Sequence, residues 1–323
     1  MSGGKLPYHL RVRKDIERRL FVEQLRLISK VYDLEEYAYV GMAGPFSEDF
    51  KLMYDRFNFK HFFSYEIDED VYKRQFFNIP FSQVHYLDTK ISEFTNDYPD
   101  VETEDGTNIT FDEVVIWLDY TGLRFEFLDD FETSIGTLSL GSIVKITLLT
   151  HASQIYSNND ELPDVRNQKR VDKIKELIGM NYFLEDVFVK EKMTEKHFPM
   201  TVFELLKKVS VRALEGSSRK FLPISSYIYQ DGMTMLTFTG IIIEEEQEDD
   251  FLRKTGLGEW EYGLIAHPQP LRIEVPFLSL KEKFNLDACL PDAPGAELEY
   301  FEEEEFKSYE KFYKFYPTYA KIV

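Results

Sequence analysis

The sequence has one cysteine, Cys289, among 323 residues. An internal disulfide and a cysteine-based zinc cluster are both excluded, and Ala288 and Leu290 beside it make a small buried thiol the expectation. No run of 18 apolar residues occurs, which argues against a membrane-spanning helix. The opening MSGGKLPYHLRVRKD has no hydrophobic core of the secretory kind, and a cytoplasmic protein is expected. Positive charge is scarce: 38 Lys and Arg stand against 58 Asp and Glu, a net charge of −20. A chain of that sign repels a phosphate backbone, so extended binding to nucleic acid is not expected. The 6 histidines lack the spaced cysteine or carboxylate partners of a metal site, and no metal is expected. No internal repeat is present.

What is there suffices for a core. Hydrophobic residues make up 43%, with 28 Phe and 20 Tyr, enough apolar surface to offset the entropy of ordering the chain. The length fits one large domain with additions or two modest ones. Within the first thirty residues charge reverses: Lys5, Arg11, Arg13, Lys14, Arg18, Arg19, Arg26 and Lys30 face only Asp15, Glu17 and Glu23. That excess reads as a solvated helix face or as a means of steering an anionic group. Ile16, Leu20, Leu27 and Ile28 recur at helical spacing, which predicts an amphipathic helix over 13–30.

Downstream, apolar runs alternate with helical stretches. YAYVGMAG ends in glycines and leads into SEDFKLMYDRF, whose Ser47 and two acids suit a helix start. HFFSYEI, DEDVYKRQFF, SQVHYLD and ISEFTNDY repeat the order of strand and helix. VVIWLDY and SIVKITLL are near-continuous apolar runs of the kind buried on both faces of a parallel sheet. Five such strands predict an open α/β sheet with ligands at the carboxyl ends of its strands. SNNDELPDVRN reads as a polar loop, and residues 166–190 and 199–214 read as helices. RKFLPISSYIYQDGMTMLTFTGIII sets two β-rich segments either side of Asp231-Gly232, a strong hairpin signal. At EEEQEDD, 244–250, the chain turns acidic and a boundary is placed. The last expected helix, AELEYFEEEEFKSYEKFYKFY, carries Leu298, Phe301, Tyr309, Phe312 and Tyr316 as a packing face.

Gly41 and Gly44 mark a turn where a strand feeds a helix, and glycine there lets backbone approach a ligand that a Cβ would meet. Alone the pair is weak evidence. It gains weight from acids after later strands. Glu66 follows FFSY, where a carboxylate can accept hydrogen bonds from both ribose hydroxyls. Asp88 closes VHYL and Asp119 closes VVIWL.

Taken in order, GMAG, YEID, YLD and WLDYTG with a following hairpin resemble a class I S-adenosylmethionine-dependent methyltransferase over residues 30–243, and PYHLRVRKDIERRLFVEQL is similar to the start of bacterial methyltransferase-like proteins. The resemblance implies an α/β fold: an open, Rossmann-like, mostly parallel sheet with a closing antiparallel hairpin. An N-terminal lid and helix (1–30) would precede the methyltransferase domain (31–243), and an acidic, aromatic C-terminal extension (244–323) would follow it. S-adenosylmethionine is the implied cofactor, and the acceptor a small molecule, nucleotide or protein. Gly41, Ala43 and Gly44 would approach the methionine part of the cofactor, Glu66 would hold the ribose, and Asp88 would accept from the adenine amino group. Asp119 and Tyr120 would stand beside the sulfonium, and Asp119 or His9 would take a proton from the acceptor.

The chain departs from the family's pattern at Tyr39, where an acid is usual, and at Ala43 and Pro45, where further glycines are common. Asp119-Tyr120-Thr121-Gly122 is not the Asn or Asp with two prolines that accompanies methylation of exocyclic amines of bases. Two other readings therefore stay open: a non-catalytic relative that binds a nucleotide or a partner, and an NAD-dependent dehydrogenase. The latter is disfavoured because GMAGPF lacks the G-x-G-x-x-G spacing. The aromatic C-terminal region is where a protein partner or self-association would be sought.

Overall fold

In the computed structural model, which describes residues 11–291 and 302–318, the amphipathic stretch after residue 11 is α1 (Val12–Ile28). Then come β1 (Ala38–Gly41), α2 (Glu48–Phe57), β2 (His61–Tyr65), α3 (Glu69–Phe77), β3 (Val84–Leu87) and α4 (Ser92–Asp97). A short hairpin, β4 (Asp100–Glu102) with β5 (Asn108–Thr110), precedes β6 (Val114–Asp119), α5 (Phe125–Thr137) and β7 (Ile143–Leu149). Three helices follow: α6 (Ala152–Ile155), α7 (Pro163–Tyr182) and α8 (Phe198–Arg212). The long strands β8 (Arg219–Gln230) and β9 (Thr234–Glu244) lead to α9 (Glu248–Thr255), β10 (Leu271–Ile273), α10 (Leu280–Asp287) and α11 (Glu303–Phe312).

Eight strands form one sheet in the order β10-β8-β9-β7-β6-β1-β2-β3. Only β9 runs against its neighbours; all other pairs in this sheet are parallel. This is the open, mostly parallel α/β sheet that the alternation implied, closed by the hairpin around Asp231-Gly232. The second strand of that hairpin is not the edge, however: β9 inserts between β7 and β8, and β10 extends the edge beyond β8.

Strand alternation divides the core into two layers. Val40, Phe63, Ile116 and Val144 face one layer, with α4, α5, α7 and α8. Tyr39, Phe62, Tyr86 and Trp117 face the other, with α1, α2, α9, α10 and α11. Residues after 244 thus help cover the same face as α1. Within the expected aromatic stripe Tyr309, Phe312 and Tyr316 are buried in that layer; Leu298 and Phe301 lie outside the described residues.

Local differences from the sequence reading have physical causes. Helix α7 begins inside the expected polar loop because Pro163 sits in its first turn, where a missing N–H costs nothing. It ends at Tyr182 rather than 190, after Gly179 takes φ 68°. Cys289 is half-buried, not buried, with Sγ 3.4 Å from the Asn285 carbonyl oxygen.

Candidate functional site

The carboxyl ends of the parallel strands gather the residues that the sequence singles out. Gly41 pairs in register with Ser64 on β2 and with Trp117 on β6. Glu66 and Asp119 therefore each lie two residues past the level of Gly41. Tyr65 pairs with Leu87, and the Glu66 N–H donates to the Leu87 carbonyl, so Glu66 and Asp88 leave adjacent strands side by side. Positions 41, 66, 88 and 119 also share parity with Tyr39, Ser64, Tyr86 and Trp117, which puts all four on the face covered by α1.

The turn after β1 is built by close approach. A Cβ on Gly41 would meet the Trp117 carbonyl oxygen at 3.3 Å. Ala43, buried, donates its N–H to Ser64 Oγ at 3.3 Å, and Gly44 opens a 3-10 turn with φ 60°. Ser47, in the left-handed region, then enters α2 with its hydroxyl 2.9 Å from that of Tyr86.

Glu66 is half-buried, and its Oε1 accepts from the Asp68 N–H at 2.9 Å. Burial raises its carboxyl above the ordinary range; the N–H groups of Asp68 and Ile67 oppose the shift, and the charges of Asp68 and Asp88 add to it. Asp88 is exposed. Tyr39, in the position of the missing acid, is fully buried and its hydroxyl donates to Asp49 Oδ2 at 3.3 Å. Burial also raises the Asp49 carboxyl, with the guanidinium of Arg18 pulling the other way.

Asp119 reaches α1, where Lys14 Nζ lies 2.9 Å from its Oδ2. Tyr120 turns to the other layer, as alternation requires: its hydroxyl donates to Asp130 Oδ2 at 2.5 Å and its ring stacks on Phe127 at 4.0 Å. The structure thus brings Asp119 to the face of Gly41 and engages Tyr120 elsewhere. His9 lies outside the described residues. Two hollows of about 360 and 370 Å³ are formed near the end of α1, at Tyr32 and Phe57, and beside α7, at Phe183 and Phe188. Neither is lined by Gly41, Glu66, Asp88 or Asp119.

Sequence reasoning missed what α1 contributes. Lys145, inside the apolar run of β7, has its ammonium fully buried 2.7 Å from Glu17 Oε1 of α1. It lies 3.6 Å from the centre of the Trp117 ring and 4.0 Å from that of Phe21. The helix start is itself held by the β8–β9 turn: Asp231 accepts from the N–H groups of Arg13 at 3.3 Å and Lys14 at 2.8 Å. A lone lysine in SIVKITLL was the only sign in the sequence that a charge crosses this layer. No group of three or more His, Cys, Asp or Glu able to hold a metal ion occurs among the described residues.

Several solved structures resemble the chain at low identity. Trm1 from Pyrococcus horikoshii, solved with S-adenosyl-L-methionine, has 11% identity and a TM-score of 0.43 over 74% of this chain; the chain spans 58% of Trm1. The N-methyltransferase NodS from Bradyrhizobium japonicum WM9 has 12% identity and a TM-score of 0.38, over 71% of this chain and 97% of NodS. TYW2 of M. jannaschii, in complex with AdoMet, has 12% identity and a TM-score of 0.33, over 69% and 75% of the two chains. Among curated proteins none matches the sequence. Over residues 6–323 the chain matches the methyltransferase family described as "Putative O-methyltransferase", and it belongs to that family.

Proposed function

We propose that the protein transfers the methyl group of S-adenosylmethionine to a hydroxyl oxygen of its acceptor. The observation that carries this reading is the register that sets Gly41, Glu66, Asp88 and Asp119 at one edge and on one face of the sheet. The residues suit an adenosyl group: carboxylates stand at the end of β6 and just past β2 and β3, on either side of the Gly41 turn that ends β1. Glu66 uses one oxygen on the Asp68 N–H and has lone pairs left for ribose hydroxyls. Asp88, exposed beside it, would accept from the adenine amino group. When bound, the cofactor supplies a methyl carbon activated by a positive sulfur. The protein's own task is then to align an acceptor, exclude water and take up a proton.

Asp119 with Lys14 would face the zwitterionic methionine end, the carboxylate drawing the ammonium and the ammonium of Lys14 drawing the carboxylate. This pairing stands in for the acid replaced by Tyr39. In this reading residues 31–243 bind the cofactor together with Lys14 of α1, while α1, α9, α10 and α11 cover one face and bound the acceptor site. No helix among the described residues is long and apolar enough to cross a membrane; a cytoplasmic setting is part of the proposal.

Calorimetry with S-adenosylmethionine, S-adenosylhomocysteine and NAD tests the reading. Binding of the first two is expected, with Glu66→Ala weakening each by about 1.5 to 3 kcal/mol, the scale for lost hydrogen bonds to a charged group. Binding of NAD alone would replace the reading with a dehydrogenase, and unchanged affinity in Glu66→Ala would remove that carboxylate from the site.

A further inference from the structure

Beyond the cofactor site, one side-chain cluster at the same sheet edge has the geometry of a positioned base. His151 follows the carboxyl end of β7, two residues after Leu149. Its Nδ1 lies 3.2 Å from Thr234 Oγ1 and 3.3 Å from Glu195 Oε2. Glu195 is fixed in turn: it accepts from the N–H groups of Ala152 at 2.8 Å and Ser153 at 2.7 Å, and Arg170 Nη2 stands 3.7 Å away. Arg170 is itself tied to the carbonyl oxygens of Tyr156 and Met193. Nδ1 is thus engaged on a held carboxylate, while a fifth of the histidine side chain stays open to solvent.

The β8–β9 turn joins this cluster to the proposed cofactor edge through the chain itself and two contacts. Thr234 begins β9, three residues past Asp231; Asp231 holds the start of α1, and Lys14 of that helix pairs with Asp119. The other described histidines are placed differently. His61 opens β2 at the opposite edge, His85 stacks on Phe63 in the other layer at 5.2 Å, His197 precedes α8, and His267 is exposed beyond β9.

We propose that His151 is the base that takes the proton of the acceptor hydroxyl through Nε2, and that Glu195 is its positioning residue, holding the proton on Nδ1. The inference rests on the methyltransferase reading above. As the hydroxyl oxygen's electron pair closes on the methyl carbon, the carbon–sulfur bond breaks with its pair left on sulfur, and the hydroxyl proton passes to Nε2. The imidazolium then returns that proton to solvent. An imidazole base suits a phenolic or enolic hydroxyl, whose proton is far more acidic than that of an aliphatic alcohol.

Nuclear magnetic resonance of the full chain labelled with ¹⁵N-histidine reads this directly, with S-adenosylhomocysteine as the probe. His151 is expected in the Nδ1-protonated tautomer, its ring signals shifting on saturation with the probe while those of His61 and His267 stay in place. Glu195→Gln is expected to mix the two tautomers while probe affinity stays within twofold. An Nε2-protonated His151, or ring signals unmoved by a probe that calorimetry shows to be bound, would overturn the assignment with the cofactor reading intact. Absence of any probe binding would overturn both.

Discussion

Lys145 is the residue whose environment is most at odds with its chemistry. Its ammonium has no exposure to water, and burial draws its pKa down to about 8, against the pull of Glu17 in the other direction. An unfolded chain keeps that proton to about 10.5. Between these values the unfolded state binds more protons, so stability rises with pH as the penalty of burying the charge is relieved. The reference is a protein without the pair, Glu17→Leu/Lys145→Met. Wild-type unfolding free energy, measured in denaturant, should gain on the order of 3 kcal/mol over that variant between pH 8 and pH 10.5, at about 1.36 kcal/mol per unit. Lys145→Met alone leaves a buried carboxylate unpaired and should cost about 3 to 5 kcal/mol at pH 7, most of it recovered in the double variant. Residues of this sort mark where sequence reading stops. Gly41, Glu66, Asp88 and Asp119 were legible because position at a strand end is a local property. The partners of Lys145, His151 and Asp119 come from α1 or from residues 195 and 234, and no spacing along the chain records them.

Helices and strands were legible where periodicity was long and apolar. The five parallel strands, α1, α2 and the β8–β9 hairpin fall where the sequence put them, because each carries enough buried residues to show its period, and α3 does so behind its Asp68 N-cap. The β4–β5 hairpin escaped, since its three-residue strands are mostly exposed and polar. The insertion of β9 also escaped, because local pattern does not say which edge a hairpin joins. That insertion has a consequence for α1. The residue before the helix, Arg11, makes no side-chain cap, and Asp231 from the hairpin turn supplies the acceptors instead. A carboxylate on those N–H groups also complements the helix dipole. Asp231→Ala should therefore cost about 1 to 2 kcal/mol, the range for a lost cap, seen as a lower thermal midpoint. S-adenosylmethionine affinity should fall with it, because Lys14 would no longer be held against Asp119. Unchanged melting would show that the turn does not anchor the helix.

Over the whole molecule, the boundary that composition suggested at 244 does not separate two cores. Phe251, Leu286, Tyr309 and Phe312 complete the apolar layer begun by α1, and Tyr309 donates to Asp287 at 2.6 Å to fix α11 on α10. An acidic composition marked this region as different without revealing that it folds back. The same charge bears on ligand choice. The protein carries −20, while S-adenosylmethionine is a monocation at neutral pH and its demethylated product is neutral overall. A field of that sign favours the reactant over the product, and salt screens it: the Debye length shrinks from about 10 Å at 0.1 M to about 3 Å at 1 M. Raising salt from about 0.1 to about 1 M should thus weaken S-adenosylmethionine binding several-fold and S-adenosylhomocysteine binding much less, as read by calorimetry. Equal weakening of the two would place the attraction in the Lys14–Asp119 pair, which meets the same zwitterion in both ligands, and not in the summed charge of the chain.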